Sequence, residues 1–162
     1  MKKKILILCT GNSCRSQMAE GFLRHLGGDK FEVFSAGVKP TQVNPLAIKV
    51  MAEMGVDISS HRSKSVKGFI GQKFDYIITV CDNAKQICPM FPGNSQKIHW
   101  NLGDPAEIKG AEEKKLIIFR KVRDQIREYI LKFLKKTYVN FTFFCLLVSY
   151  LGSSTISAIN SS

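Results

Sequence analysis

Acidic residues are scarce in this chain: 13 Asp and Glu face 24 Lys and Arg, a formal charge of +11. Such a balance is the electrostatic footprint of proteins that bind nucleic acid or acidic membrane surfaces. Here the bases collect at the N-terminus and along 114–136, without any DNA- or RNA-binding motif. A solvated helix face is the expected reading, and nucleic acid is not an expected partner. A long apolar run at the start is missing too. Between Lys4 and Cys9 only Ile5-Leu6-Ile7-Leu8 is apolar, whereas a secretory leader needs a core of about 7–15 residues. A cytoplasmic protein is expected. Paired cysteines are also lacking. The count is odd, five (Cys9, Cys14, Cys81, Cys88 and Cys145), which argues against a structural disulfide framework and for catalytic or redox thiols. Cys145, in an apolar tail, reads instead as a small hydrophobe. Internal repeats, low-complexity linkers and a second folded domain are all absent from the pattern. What remains, 162 residues of which 44% are hydrophobic, suits one domain with a core of its own.

The order of elements is legible. Residues 3–9 read as a strand buried on both faces, because the apolar run is continuous. A turn-like loop, 10–14, leads to a helix over 16–26 with Met18, Ala19, Phe22, Leu23 and Leu26 at helical spacing, stopped by Gly27-Gly28. A strand over 31–35 follows. A helix then opens on Asn44 as N-cap with Pro45 at its first position and runs to about Met54 before Gly55. Residues 59–71 read as loop and short helix, 74–80 as a third strand, 97–100 as a fourth. A long amphipathic helix over 111–136 carries Leu116, Phe119, Val122, Ile126, Ile130 and Phe133 on one stripe. Alternating strands and helices imply an α/β fold: one doubly wound domain over 1–136, a four-stranded parallel sheet flanked by helices, with an anion loop after the first strand. Ligands of such sheets bind outside the carboxyl ends of the strands. Cys9, Cys81 and Asp104 all follow strands there.

The densest motif is Cys9-Thr10-Gly11-Asn12-Ser13-Cys14-Arg15-Ser16. A loop between a strand and a helix turns several backbone N–H groups inward as an anion nest, and the helix adds its positive end. Arg15 offers a planar fork to two oxygens of a tetrahedral anion. The same field is expected to hold Cys9 as a thiolate, below the ordinary thiol value of about 8.5, with the Ser13 and Ser16 hydroxyls donating to it. Gly11 is expected to supply backbone angles that a Cβ would resist. Cys9 is therefore the candidate nucleophile, and 10–16 the candidate binding loop. Cys14 is an inert neighbour or a thiol that guards Cys9 under oxidation; the inert reading is preferred. Asp104, fixed by Pro105, is a candidate general acid for a leaving oxygen. An ordinary Asx turn before the last helix fits it equally well on spacing alone.

These residues resemble the low-molecular-weight protein tyrosine phosphatase superfamily, and more closely its branch of thioredoxin-coupled arsenate reductases. The resemblance runs from about Lys4 to Leu134 and rests on 9–21 (CTGNSCRSQMAEG), Ser35-Ala36-Gly37, Val43-Asn44-Pro45, the 81–89 segment, and His99-Trp100 followed by Asp104-Pro105. It implies Cys9 as nucleophile, Arg15 as oxyanion ligand, Asp104 as general acid, and Cys81 and Cys88 as relay thiols. The implied activity is reduction of arsenate to arsenite, with thioredoxin as reductant and neither metal nor organic cofactor; a monomer is expected. A Cys9–Cys81 disulfide would pass to Cys81–Cys88. The alternative is hydrolysis of phosphate monoesters through a phosphocysteine. Ala106 and Glu107 follow the Asp-Pro where the phosphatase branch carries aromatic residues, and the Cys81/Cys88 pair is extra; both favour the reductase. Some relatives bind potassium beside the loop through positions matching Asn12, Glu20, Ser35 and an aspartate where this chain has Lys64. Either the Lys64 amine stands in for the ion, or the side chain points to solvent. Residues 82–87 read as helix or turn. Seven positions along a helix span about 10 Å, and a disulfide needs Cα atoms within about 7 Å, so a Cys81–Cys88 bond requires the segment to loop out.

The chain departs from this resemblance at 137–162, which holds no charged residue. The run is short of the roughly 20 apolar residues of a membrane span, although Lys135-Lys136 would suit a cytoplasmic flank. Docking on the enzyme would need an apolar groove. An extension acquired by altered reading of the gene's end, without catalytic role, is the preferred expectation, and membrane contact is not favoured.

Overall fold

The computed structural model describes residues 1–86 and 88–137. The expectations for the tail from 138 onward, and the helical reading of position 87, lie outside them. Residues Met1–Ile130 form one compact unit. Its centre is a four-stranded, wholly parallel sheet in the order β2-β1-β3-β4, from β1 (Lys3–Cys9), β2 (Phe31–Gly37), β3 (Tyr76–Thr79) and β4 (Gln96–His99).

β1 lies between two partners, and Ile5, Leu6, Ile7 and Leu8 are fully buried. That is why its apolar run is unbroken rather than alternating. In register, Cys9 stands beside Gly37 at the end of β2, Leu8 beside Thr79, and Thr79 beside His99. The strand ends therefore present Cys9, Thr79 and His99 along one edge, the side from which a ligand approaches.

The helices start and stop where local chemistry directs. α1 (Arg15–Gly27) sets Met18, Ala19, Phe22 and Leu23 into the core and gives way at Gly28. α2 (Pro45–Ala52) is capped by the Asn44 side chain, which accepts from the Leu46 N–H at 2.9 Å. It ends before Met54 because the chain turns through Gly55 at φ 71°. α3 (Asp82–Gln86) is a single short turn, and α4 (Glu112–Thr137) is the long helix. Its stripe of Leu116, Phe119, Val122, Ile126 and Ile130 is buried as patterned.

Two strand ends differ from the sequence reading, for the same reason. Phe74 leaves the ladder to pack edge-on against Phe34 and Phe91. Trp100 leaves β4 to stack on Tyr129 of α4, ring centroids 5.5 Å apart. In both cases a ring packs just beyond the strand, and the Trp100 N–H still donates to the Thr79 carbonyl at 2.9 Å. From Leu131 onward the chain belongs to a separate unit, where the Thr137 hydroxyl reaches back to the Phe133 and Leu134 carbonyls. Among the described residues no helix is long and apolar enough to cross a membrane.

Candidate active site

The loop 9–15 is shaped from outside. Carbonyls of Cys9, Thr10, Gly11 and Ser13 accept from the N–H groups of Val38, Lys39, Thr41 and Asn44 at 3.3, 2.9, 3.0 and 3.0 Å. A trans peptide points its N–H opposite its C=O, so each outward carbonyl turns the next N–H inward. Asn12 shows the result: its N–H donates to Cys9 Sγ at 3.0 Å. The left-handed residue of the loop is Asn12, at φ 47°, and not Gly11. The glycine that matters most is Gly37, where a Cβ would come within 2.7 Å of the Thr10 carbonyl oxygen. Its absence lets the loop lie against the end of β2.

Asn12 holds this conformation through its side chain. Nδ2 donates to Ser16 Oγ at 2.9 Å and Ser35 Oγ at 2.8 Å, while Oδ1 accepts from Gln17 Nε2 and the Lys64 N–H. Because the Ser16 oxygen already accepts, its proton is free for Cys9 Sγ, 2.8 Å away. Ser35 likewise passes its proton to Glu20. Ser13, expected to serve Cys9, instead turns to Cys14 Sγ.

The protonation of Cys9 runs against the sequence expectation. Burial pushes its thiol above the ordinary value; the Ser16 and Asn12 hydrogen bonds pull it down without overcoming burial, the neighbouring Cys81 opposes ionisation, and Arg15 contributes least. Arg15 itself is engaged elsewhere. Its Nη1 donates to the Leu102 carbonyl at 2.9 Å and its Nη2 to Asp104 Oδ2 at 2.6 Å. Cys14, also buried, is pushed up to about 11, chiefly by burial, and stays a protonated thiol.

Asp104 forms the Asx turn and also faces the loop. Oδ1 accepts from the Ala106 N–H at 3.0 Å, forming the turn, and Oδ2 binds Arg15. The turn aims the carboxylate at the loop.

Cys81 lies at the loop's other side, buried, with Sγ 3.5 Å from Thr10 Oγ1 and accepting from the Ala84 N–H at 3.4 Å. Asn83 donates to the same Thr10 hydroxyl at 3.0 Å. Asp104, through Arg15, and Cys81, through Thr10, are thus each tied to the loop that Cys9 begins. Cys88 stands apart, half-buried, its thiol donating to the Pro89 carbonyl at 3.6 Å and raised by burial against the opposing pull of Lys97. All four described cysteines are free thiols.

Lys64 does not point to solvent. Its Nζ lies 3.3 Å from Glu20 Oε2 and donates to the Arg62 carbonyl at 3.1 Å. Arg24 holds the other Glu20 oxygen at 2.6 Å. The residues matching a potassium site therefore already enclose an ammonium against their buried carboxylate, and they do not fit an added cation.

Sequence reasoning missed several supports. Gln17, fully buried, braces Asn12 through its Nε2, and its Oε1 accepts from His61 Nδ1, 2.9 Å away. The Leu102 carbonyl holds Arg15, and His99 reaches Asp82. A backbone carbonyl leaves no trace in a sequence. His99 and Gln17 did lie inside singled-out motifs.

A parallel sheet with a Cys-x5-Arg anion loop at the end of its first strand defines a cysteine-dependent oxyanion enzyme, and the chain belongs to the low molecular weight phosphotyrosine protein phosphatase family, which it matches over residues 4–140. Within that family its relatives are more specific. It is 46% identical over 132 residues to an arsenate reductase of Halalkalibacterium halodurans, covering 82% of this chain and 95% of that one. It superposes on an arsenate reductase in the phosphate-binding state with TM-score 0.68 at 35% identity, covering 83% and 98%. A thioredoxin-dependent arsenate reductase of Corynebacterium glutamicum matches with TM-score 0.63 at 28% identity, covering 83% and 61%.

Proposed function

We propose that this chain reduces arsenate to arsenite through a relay of three thiols, as a cytoplasmic monomer reduced by thioredoxin. One observation carries the reading: a free thiol, Cys81, reaches the same anion loop that holds Cys9, Arg15 and Asp104. A hydrolase needs no second thiol there.

The dianionic substrate settles on the inward N–H groups of 10–16 and draws the Arg15 fork from Asp104. Released from the guanidinium, the Asp104 carboxyl is left facing the bound anion, where a general acid must stand. The substrate takes the Cys9 thiol proton as it docks. The Cys9 sulfur attacks arsenic, an As–S bond forms, and one As–O bond breaks; Asp104 protonates the departing hydroxide to water. Cys81 gives its proton to an oxygen of the bound arsenical, and its sulfur attacks Cys9 Sγ. The S–S bond forms, the S–As bond breaks, and its electron pair stays on arsenic, which leaves as arsenite. Cys88 attacks Cys81, restoring the Cys9 thiolate and giving a Cys81–Cys88 disulfide for exchange with a dithiol protein. Slow hydrolysis of an aryl phosphate would use Cys9, Arg15 and Asp104 with water and neither relay thiol.

The test is arsenite production with thioredoxin, its reductase and NADPH. Cys88→Ser is expected to abolish multiple turnovers while keeping aryl phosphate hydrolysis. Full multiple-turnover reduction by Cys88→Ser would overturn the relay.

A further inference from the structure

His99 belongs to a motif that the chemistry above leaves unused. It ends β4, separated from β1 by β3, and lies opposite Thr79 in register. Its Nδ1 lies 2.9 Å from Thr79 Oγ1, and its Nε2 lies 3.2 Å from Asp82 Oδ1. Asp82 is the first residue of α3 and directly follows the relay thiol Cys81. The imidazole is about four-fifths buried, with 21% of its side chain exposed, whereas Asp82 is 76% exposed. The sheet thus fixes the ring, and the ring fixes the carboxylate.

Thr79 makes this arrangement durable. Its hydroxyl can donate to Nδ1, which leaves the proton on Nε2, aimed at Asp82. It can instead accept from Nδ1 and donate to the Ile98 carbonyl, 3.5 Å away, when the ring carries both protons. In either state Nε2–H faces Asp82.

We infer that His99 is a positioning residue for the thiol relay: through Asp82 it pins the first turn of α3 to the sheet, and that pin is released when Cys81 and Cys88 join. The inference rests on the relay reading. A contact present only in the reduced, closed segment stabilises the dithiol against the disulfide. It therefore raises the reduction potential of the pair and makes the disulfide easier for a partner dithiol to reduce. A partly exposed polar contact is worth a factor of a few. A threefold change in the equilibrium constant corresponds to about 14 mV, at about 30 mV per tenfold for a two-electron couple.

The experiment equilibrates the full-length chain, carrying Cys9→Ser to isolate the pair, with mixtures of oxidised and reduced dithiothreitol. Two electrons and two protons pass from the Cys81 and Cys88 thiols to the dithiothreitol disulfide, and mass spectrometry after alkylation reads the Cys81–Cys88 bond. His99→Phe keeps the ring's bulk without its nitrogens. It and Asp82→Ala are each expected to disfavour the dithiol about threefold, a potential about 14 mV more negative. The double variant is expected to go no further than the larger single effect, which separates the pin from the ordinary preference of a helix start for a carboxylate. Should His99→Phe fail to fold, Asp82→Ala at its exposed position is compared with Asp82→Asn, which keeps an acceptor for Nε2–H and should recover much of the shift. An unchanged potential, additive effects, or equal loss in the Asn and Ala variants would overturn the pin and leave the relay standing. Failure of the unmodified pair to form any Cys81–Cys88 disulfide would overturn the relay, and the pin with it.

Discussion

The Arg15 guanidinium and the Asp104 carboxylate stand 2.6 Å apart, each holding the group that the other's task requires. While they are joined, Arg15 has one fewer donor for an anion and Asp104 is turned to the guanidinium rather than to a leaving oxygen. A bound oxyanion resolves both by replacing Asp104 on Nη2. Asp104→Ala is therefore expected to separate binding from chemistry. Inorganic phosphate should bind more tightly by calorimetry, because Arg15 is already free. Turnover of arsenate and of an aryl phosphate should fall by about 10²–10⁴, the usual contribution of a general acid. Weaker phosphate binding in this variant would refute the exchange.

Burial raises the Cys9 thiol in the free enzyme. Alkylation of Cys9 by iodoacetamide is expected to climb with pH through a midpoint above about 8.5, the ordinary thiol value. Ser16→Ala should move the midpoint further up, since that hydroxyl favours the thiolate. The linkage has a definite sign. A thiol whose folded value is raised stabilises the fold fully below its unfolded value, and that stability is lost as pH rises toward the folded value. For Cys14 the loss should spread from about 8.5 to about 11. A Cys9 midpoint below 8 would show that the loop's field outweighs burial.

Lys64 keeps its ammonium against Glu20. Activity and melting temperature are expected to be nearly the same in potassium and in sodium chloride. Lys64→Met should destabilise the fold by about 1–3 kcal/mol in urea titrations, the range for a hydrogen bond to a charged group, with Arg24 limiting the damage. Lys64→Asp should make stability respond to potassium. A clear preference for potassium in the unmodified chain would contradict the geometry.

α3 begins one residue after Cys81 and is held by Asn83 at Thr10 and by Asp82 at His99. Formation of a Cys81–Cys88 disulfide should break these ties, because a helical segment keeps its ends too far apart for the bond. Amide hydrogen exchange over 82–86 is expected to accelerate on oxidation while β1 remains protected. Equal protection in both redox states would mean that the bond closes without opening the helix.

Much of this protein is written in local pattern. The burial of β1 follows from Ile5–Leu8, the start of α2 from Asn44-Pro45, and the stripe of α4 from its 3.6-residue period, because each depends on neighbours within one or two turns. The Cys9–Arg15 spacing between a strand and a helix located the anion loop for the same reason. What the sequence alone could not decide depends on groups far apart along the chain. Whether Asp104 aims at Arg15, whether Lys64 turns to Glu20, and whether His99 reaches Asp82 are settled by how β2, β3 and β4 bring residues 15 to 104 together at one edge. The Cys9 thiol is the clearest case. Its loop predicts ionisation, but the three-dimensional structure removes water from the sulfur, so desolvation outweighs the field. Charge and spacing are properties of a sequence, whereas burial and the choice of a distant partner exist only once the chain has packed.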